Sequence, residues 1–240
     1  MLELKNITYQ VEDENRTIQI LKDVNVVFED RFTAITGPNG GGKSTMAKLI
    51  AGIIRPTAGR IYMDGEDITD LSVTDRAKRG ISFAFQQPVR FKGITVKELI
   101  RYAAGRDITT ADACNYLSEV GLCARDYIHR EVNASLSGGE LKRIEIAMII
   151  ARGTAVSVFD EPEAGIDLWS FQNLIQVFEH MHDKIGGNII IISHQERILD
   201  IADKIVVVSG GTVTATGRRE EILPALLNSN SGCKKLMDRM

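Results

Sequence analysis

The sequence has no stretch near the ~18 unbroken apolar residues that a membrane-spanning helix needs, so no helical span is expected. It also lacks an excess of positive charge. Lysine and arginine number 29 against 32 aspartates and glutamates, a net charge of −3, which gives no electrostatic footprint for binding nucleic acid. Cysteine is sparse: Cys114, Cys123 and Cys233 stand far apart, without the spacing of a metal site or a disulfide framework. Such an odd, scattered set fits free thiols in a reducing compartment. The first residues, Met1-Leu2-Glu3-Leu4-Lys5, do not build a signal peptide, and the expected location is the cytoplasm. No internal repeat or low-complexity tract stands out.

What is present can bury one sizeable core, or one core with a subdomain attached, from 240 residues. Leu2 to Tyr9 alternates as a half-buried strand, Val11 to Thr17 is turn-prone, and Ile18 to Phe28 reads as the returning strand of a hairpin. Further strands are expected at Phe32–Thr36, Gly59–Gly65 and Ile81–Phe85. From there to about Asn133 strand patterns stop. Val96–Ala104 and Thr110–Val120 read as helices, the second capped by Thr109 or Thr110 and stopped by Gly121. After Ser137-Gly138-Gly139 a helix runs to about Arg152. Ala155–Phe159 is apolar throughout, the mark of a strand buried on both faces. Leu168–Lys184 is helical with Trp169 out of phase with its apolar stripe. Strands at Asn188–Ile192 and Lys204–Val208 follow, the latter turned by Gly210-Gly211 into Thr212–Thr216. The tail reads as helix to Leu227, broken at Asn228–Gly232.

Alternating strands and helices imply an α/β core with a mostly parallel sheet, in which ligands sit at the carboxyl ends of strands. There the sequence places Gly37, Pro38, Asn39, Gly40, Gly41, Gly42, Lys43, Ser44 and Thr45, matching G-x-x-x-x-G-K-[ST] between a strand and a helix. The glycines let backbone amides close around a phosphate chain, and the new helix adds the positive end of its dipole. Lys43 can reach the β- and γ-phosphates of ATP, and Ser44 can place its hydroxyl on Mg²⁺. Asp160-Glu161 follows the buried apolar run. An acidic pair at a strand tip is often solvated punctuation, but downstream of a phosphate loop it fits a metal-holding Asp160 and a water-polarising Glu161.

Leu136-Ser137-Gly138-Gly139-Glu140 opens another helix with a second anion-binding nest. One phosphate chain rarely needs two nests from one chain, so the reading is a head-to-tail homodimer in which each second nest closes on the partner copy's nucleotide. An ordinary helix cap is the bland alternative.

With these residues in order, the chain resembles an ATP-binding cassette (ABC) ATPase over essentially its whole length. Gln86 stands at the Q-loop position, with Gln87 a weaker competitor. Asp160-Glu161 is the Walker B pair, Ala164-Gly165-Ile166-Asp167 the D-loop, and His194, after Ile-Ile-Ile-Ser, the switch histidine. Tyr9 falls where the family stacks adenine, with a core aromatic on its strand as the alternative. His129, His180 and His182 sit in no motif and read as surface residues. The resemblance implies a P-loop NTPase cassette with a RecA-like mixed sheet core, an N-terminal antiparallel β part and an inserted α-helical subdomain. Residues 1–85 and 153–218 would form the nucleotide-binding core, 86–152 the helical subdomain, and 219–240 a C-terminal tail. It implies that Ser44, Gln86 and Asp160 serve the magnesium and that His194 contacts the γ-phosphate. Asp167 would lie at the dimer interface, and Ser137, Gly138, Gly139 and Glu140 on the partner's ATP.

Ser82–Val89 and Ser137–Ile146 further resemble the SufC-type ATPases of iron–sulfur cluster assembly. That resemblance implies a SufB-like scaffold as the partner, docked near Pro88, Val89, Phe91 and Lys92. Leu141, where transport ATPases commonly have glutamine, and Glu163 depart from the wider pattern. The alternative expectation is the ATP-binding subunit of an importer with a separate membrane permease. A cassette acting on nucleic acid or ribosomes is disfavoured by the acidic charge balance.

Overall fold

The strand that feeds the phosphate loop, Phe32–Thr36, is buried at all five positions, and the architecture is arranged on either side of it in the chain. The structure is a computed structural model that describes residues 1–13, 16–133, 135–184 and 186–237. In chain order the first elements are β1 (Leu2–Asp13), β2 (Arg16–Phe28), β3 (Phe32–Thr36), α1 (Lys43–Ala51), β4 (Ala58–Met63) and β5 (Glu66–Asp67). Then come α2 (Val73–Lys78), β6 (Ile81–Ala84), α3 (Val96–Ala104), α4 (Thr110–Glu119), α5 (Ala124–Tyr127), α6 (Gly138–Arg152) and β7 (Val156–Asp160). The last are α7 (Leu168–Lys184), β8 (Asn188–Ile192), α8 (Glu196–Asp200), β9 (Lys204–Ser209), β10 (Thr212–Arg218) and α9 (Arg219–Met237). They fall into two compact units, Met1–Asp70 with Ile192–Met240, and Leu71–Ile191.

In the first unit an antiparallel sheet runs in the order β2-β1-β4-β5. Leu2, Leu4 and Ile7 of β1 are all buried. Strict alternation would carry the core face to position 6, and a register shift between Leu4 and Ile7 moves it on by one. Asn6 makes that shift possible: it takes a left-handed φ of 50°, a conformation asparagine tolerates. Its side chain donates to Asp23 at 2.8 Å, and its amide donates to Asn25 at 2.9 Å. β3 pairs in parallel with β9, Ala34 opposite Ile205 and Ile35 opposite Val206, and β9 returns antiparallel as β10.

The second unit holds β6 and β7 in a parallel pair, Ala84 opposite Phe159, in the order β8-β7-β6. α3, α4 and α6 start with closed capping boxes. Thr95 and Glu98 open α3, Thr109 and Asp112 open α4, and Ser137 and Glu140 open α6. Each box satisfies two otherwise orphaned donors. α6 packs against α3, α4 and α7, burying Leu141, Ile144, Ile146 and Ala147.

Several local expectations are corrected. The turn-prone segment over Val11 to Thr17 is largely strand, since β1 runs to Asp13 and β2 starts at Arg16, and positions 14–15 lie outside the described residues. The tail does not break at Asn228–Gly232, since α9 continues to Met237. Glycine and asparagine cost a helix about 1 kcal/mol or less each, too little to stop one already propagating. α2, α5 and α8 had no periodic signal, being no longer than six residues. Cys114 is half-buried and Cys123 exposed, both free; the side chain of Cys233 lies outside the described residues. No helix among the described residues is long and apolar enough to cross a membrane.

Candidate active site

In the first unit β3 delivers the chain into the glycine loop at Thr36. Gly37 has φ +132°, and a Cβ there would lie 2.0 Å from the carbonyl oxygen of Val208 on β9. A Cβ on Gly41 would lie 2.8 Å from the same oxygen, and one on Gly42 2.6 Å from a methyl of Leu21. The loop is therefore glycine-rich because β9 and β2 stand directly behind it, quite apart from what it binds. Gly41 N–H donates to Pro38 O at 3.1 Å, closing the turn. Pro38, Asn39 and Gly40 form an exposed crest.

The helix that follows starts on Gly42 with no side-chain cap and no acidic residue in its first turn. Its first amides thus have no intrahelical acceptor, and no acidic side chain of its own first turn offsets the positive end of its dipole. Lys43 is buried, its ammonium donating to Gly37 O at 2.8 Å and Pro38 O at 2.9 Å. It arches back over the loop it belongs to. Ser44 and Thr45 are half-buried in the same turn. Ser193 donates its amide to Ile35 O at 3.1 Å, so the exposed His194 leaves beside the strand that feeds the loop. Tyr9, half-buried on β1, stands opposite Leu21, the residue that backs Gly42.

In the second unit the β6–β7 pair carries Gln86 and Glu161 to the same end, where Gln86 Nε2 donates to Glu161 Oε2 at 2.7 Å. Asp160 is buried at the end of β7. Glu161 takes a left-handed φ of 45°, a conformation that costs a non-glycine residue on the order of 1–3 kcal/mol and is characteristic of functional positions. Asp167 ends the following turn. Its Oδ1 accepts the amides of Trp169 and Ser170, each at 3.0 Å, and the Ser170 amide foremost holds its carboxyl below the ordinary range.

Ser137 caps α6, and Glu140 is fastened at both oxygens. Oε2 accepts the Ser137 amide at 2.7 Å and Oε1 accepts the Tyr127 hydroxyl. Burial pushes this carboxyl upward, but the hydrogen bonds from Tyr127 and Ser137 outweigh it and hold Glu140 ionised below its usual range. Gly138 is exposed and Gly139 buried. A Cβ on Gly139 would meet Ser170 Cβ at 2.7 Å, and one on Gly138 would meet Gly165 O at 3.4 Å. The nest and the turn after β7 are in direct contact.

Three residues that sequence reasoning passed over join this site. Tyr127 fastens Glu140. Lys142, almost wholly buried on α6, donates to the carbonyl of Phe85, the residue before Gln86, and pairs with Glu145 at 3.1 Å. Burial raises the Glu145 carboxyl above its usual range. The sequence carries little signal for it: Lys142 and Glu145 are one helical turn apart, as a solvated helix pair also is. Trp169, out of phase with the apolar stripe of its helix, is 76% exposed.

The metal donors expected from the sequence are the Ser44 hydroxyl in the first unit and the Gln86 amide and Asp160 carboxylate in the second. All are hard oxygens, and among the described residues no group of three His, Cys, Asp or Glu could hold an ion by itself. Hard oxygen donors suit Mg²⁺, which is bound through one or two carboxylates and takes the rest of its shell from water and phosphates.

The family model described as ABC transporter matches residues 21–164. The uncharacterized ABC transporter ATP-binding protein MJ0035 of Methanocaldococcus jannaschii is 40% identical over 213 residues, 85% of each chain. The spermidine/putrescine import ATP-binding protein PotA of Fusobacterium nucleatum is 33% identical over 215 residues, 87% of this chain and 56% of PotA. Among solved structures, the dimeric post-hydrolysis state of the ATP-binding cassette MJ0796, bound to ADP and Pi, superposes with a TM-score of 0.80. It is 25% identical and is matched over 91% of this chain and 99% of its own.

Proposed function

Because the chain belongs to the ABC transporter family and is an ATP-binding, ATP-hydrolysing cassette, we propose that it is the motor subunit of a transport system, driving a separate membrane permease. The observation that carries this reading is its likeness to an import ATP-binding protein over 87% of the chain.

In this reading the amides of Gly40 to Thr45 and the ammonium of Lys43 hold the β- and γ-phosphates. Lys43 exchanges its two loop carbonyls for phosphate oxygens. Ser44, Gln86 and Asp160 would hold Mg²⁺ with the nucleotide, where the ion would supply charge neutralisation. Glu161 accepts a proton from the attacking water, and His194 contacts the γ-phosphate. Tyr9 stacks on the adenine. The resting hydrogen bond between Gln86 and Glu161 must open before either takes its role. Ser137, Gly138, Gly139, Glu140 and Asp167 act across a homodimer, on the nucleotide of the second copy.

A second reading, an assembly ATPase deforming a SufB-like scaffold, rests on the resemblance of Ser82–Val89 and Ser137–Ile146 to SufC alone. Affinity purification from gently solubilised cells separates the two. Recovery of an integral membrane permease supports the transport reading; recovery of a soluble scaffold and no membrane protein overturns it.

A further inference from the structure

Leu168 and Trp169 are 66% and 76% exposed, and Trp169 is the only tryptophan in the chain. Isolated exposed apolar residues are ordinary, so exposure alone argues nothing. Three further observations bear on this pair. First, its turn is capped. Asp167 accepts the amides of Trp169 and Ser170, which closes the first turn of α7. Second, Trp169 is turned away from that helix's own core. Phe171, Leu174, Ile175 and Phe178 are all buried, Trp169 falls on the opposite side of the helix, and Leu168 is exposed at its first position. Third, the pair adjoins the second nest. Ser170, the next residue, fills the space that a Cβ on Gly139 would need, and Gly165 O lies against Gly138.

We propose that Leu168 and Trp169 form an apolar anchor by which one copy of this chain grips a second copy when nucleotide closes the dimer. This rests on the homodimer reading of the site. The nest of Ser137 to Glu140 faces the second copy in that reading, and the anchor is continuous with it through Ser170 and Gly165. The chemistry is that of an interface centre, a large aromatic and an aliphatic residue with exposed polar neighbours, Asp167 and Gln172, at the rim. Tryptophan is the residue most often found to dominate such centres.

The test uses the full chain carrying Glu161→Gln, so that bound ATP is not consumed, with Mg-ATP as the probe. Light scattering after size exclusion gives the dimer constant, a fluorescent nucleotide gives ATP binding, and Trp169 emission reports its own surroundings. Trp169→Ala and Leu168→Ser are expected to leave ATP affinity within about twofold and weaken dimerisation by roughly 30-fold. Trp169→Phe should restore most of it. Emission of the unmodified residue should shift to the blue on dimerisation. Dimerisation of Trp169→Ala like its parent, or unshifted emission in a dimer, overturns the proposal and leaves the homodimer reading standing. A Glu161→Gln parent that binds ATP and stays monomeric overturns both.

Discussion

Replacing Lys142 with methionine keeps the length of the side chain and removes its charge. Lys142 is 2% exposed and its partner Glu145 17%, so the change strands a carboxylate with little water and leaves the Phe85 carbonyl without its ammonium donor. Breaking one member of a buried pair costs ~3–5 kcal/mol; the residual exposure of Glu145 places this case near 3. For a chain of this size, each kcal/mol is worth ~2–4 °C in melting temperature. A fall of about 6–12 °C is therefore expected from thermal unfolding of the apo-protein.

The pH dependence makes the test sharper. Burial holds the Glu145 carboxyl above its reference value of 4.5, and Lys142 works against that rise. A group whose folded value is raised contributes its stability below the unfolded value and loses it as pH climbs through the folded one. Without Lys142 the folded value moves higher still, so the loss deepens. The gap between wild type and Lys142→Met should thus be small near pH 5 and widen towards pH 7.5. Lys142→Met with Glu145→Leu should recover most of the difference at neutral pH. A gap under about 3 °C, or one of equal size at both pH values, refutes the reasoning.

Glu161→Gln is expected to bind ATP, hydrolyse it at least ~100-fold more slowly and accumulate as a dimer, whereas Lys43→Ala loses nucleotide affinity; phosphate release and nucleotide binding separate the two. Gly37→Ala, which drives a methyl into Val208 O, should abolish ATP binding and lower the melting temperature. Gly40→Ala meets no atom within 4 Å and should cost only the ~1–2 kcal/mol of its left-handed φ. Tyr127→Phe removes the donor on Glu140 and should cost ~1 kcal/mol at neutral pH. Because Glu140 is held below its usual range, that deficit should vanish in acid as the carboxyl protonates, a trend visible in melting temperature against pH.

The parts of the molecule legible in the sequence are those written in short range. The buried strand, glycine loop and helix from Phe32 to Ala51 announce themselves by pattern, as do the capped helices opened by Thr109 and Ser137. What escaped is set by tertiary contact. Lys142 looks like a solvated helix residue until Phe85 is known to lie beside it. Tyr127 and Glu140 are joined across a loop that no periodicity crosses. Nothing in the order Asp167-Leu168-Trp169 says that the tryptophan is left uncovered. The glycines at 37 and 41 illustrate both halves: their presence reads as a phosphate loop, and the steric need for them comes from Val208, far along the chain.

The close approach of Gly139 and Ser170 has an evolutionary consequence. The hydrogen at position 139 and the small side chain at 170 divide one fixed volume between two segments about thirty residues apart. Neither can enlarge without the other shrinking or the backbone giving way. Descendants of this sequence should therefore change the two positions as a pair. A lineage that lost the glycine would first have to surrender the serine to glycine, making drift at position 170 the gate through which the nest could ever be altered.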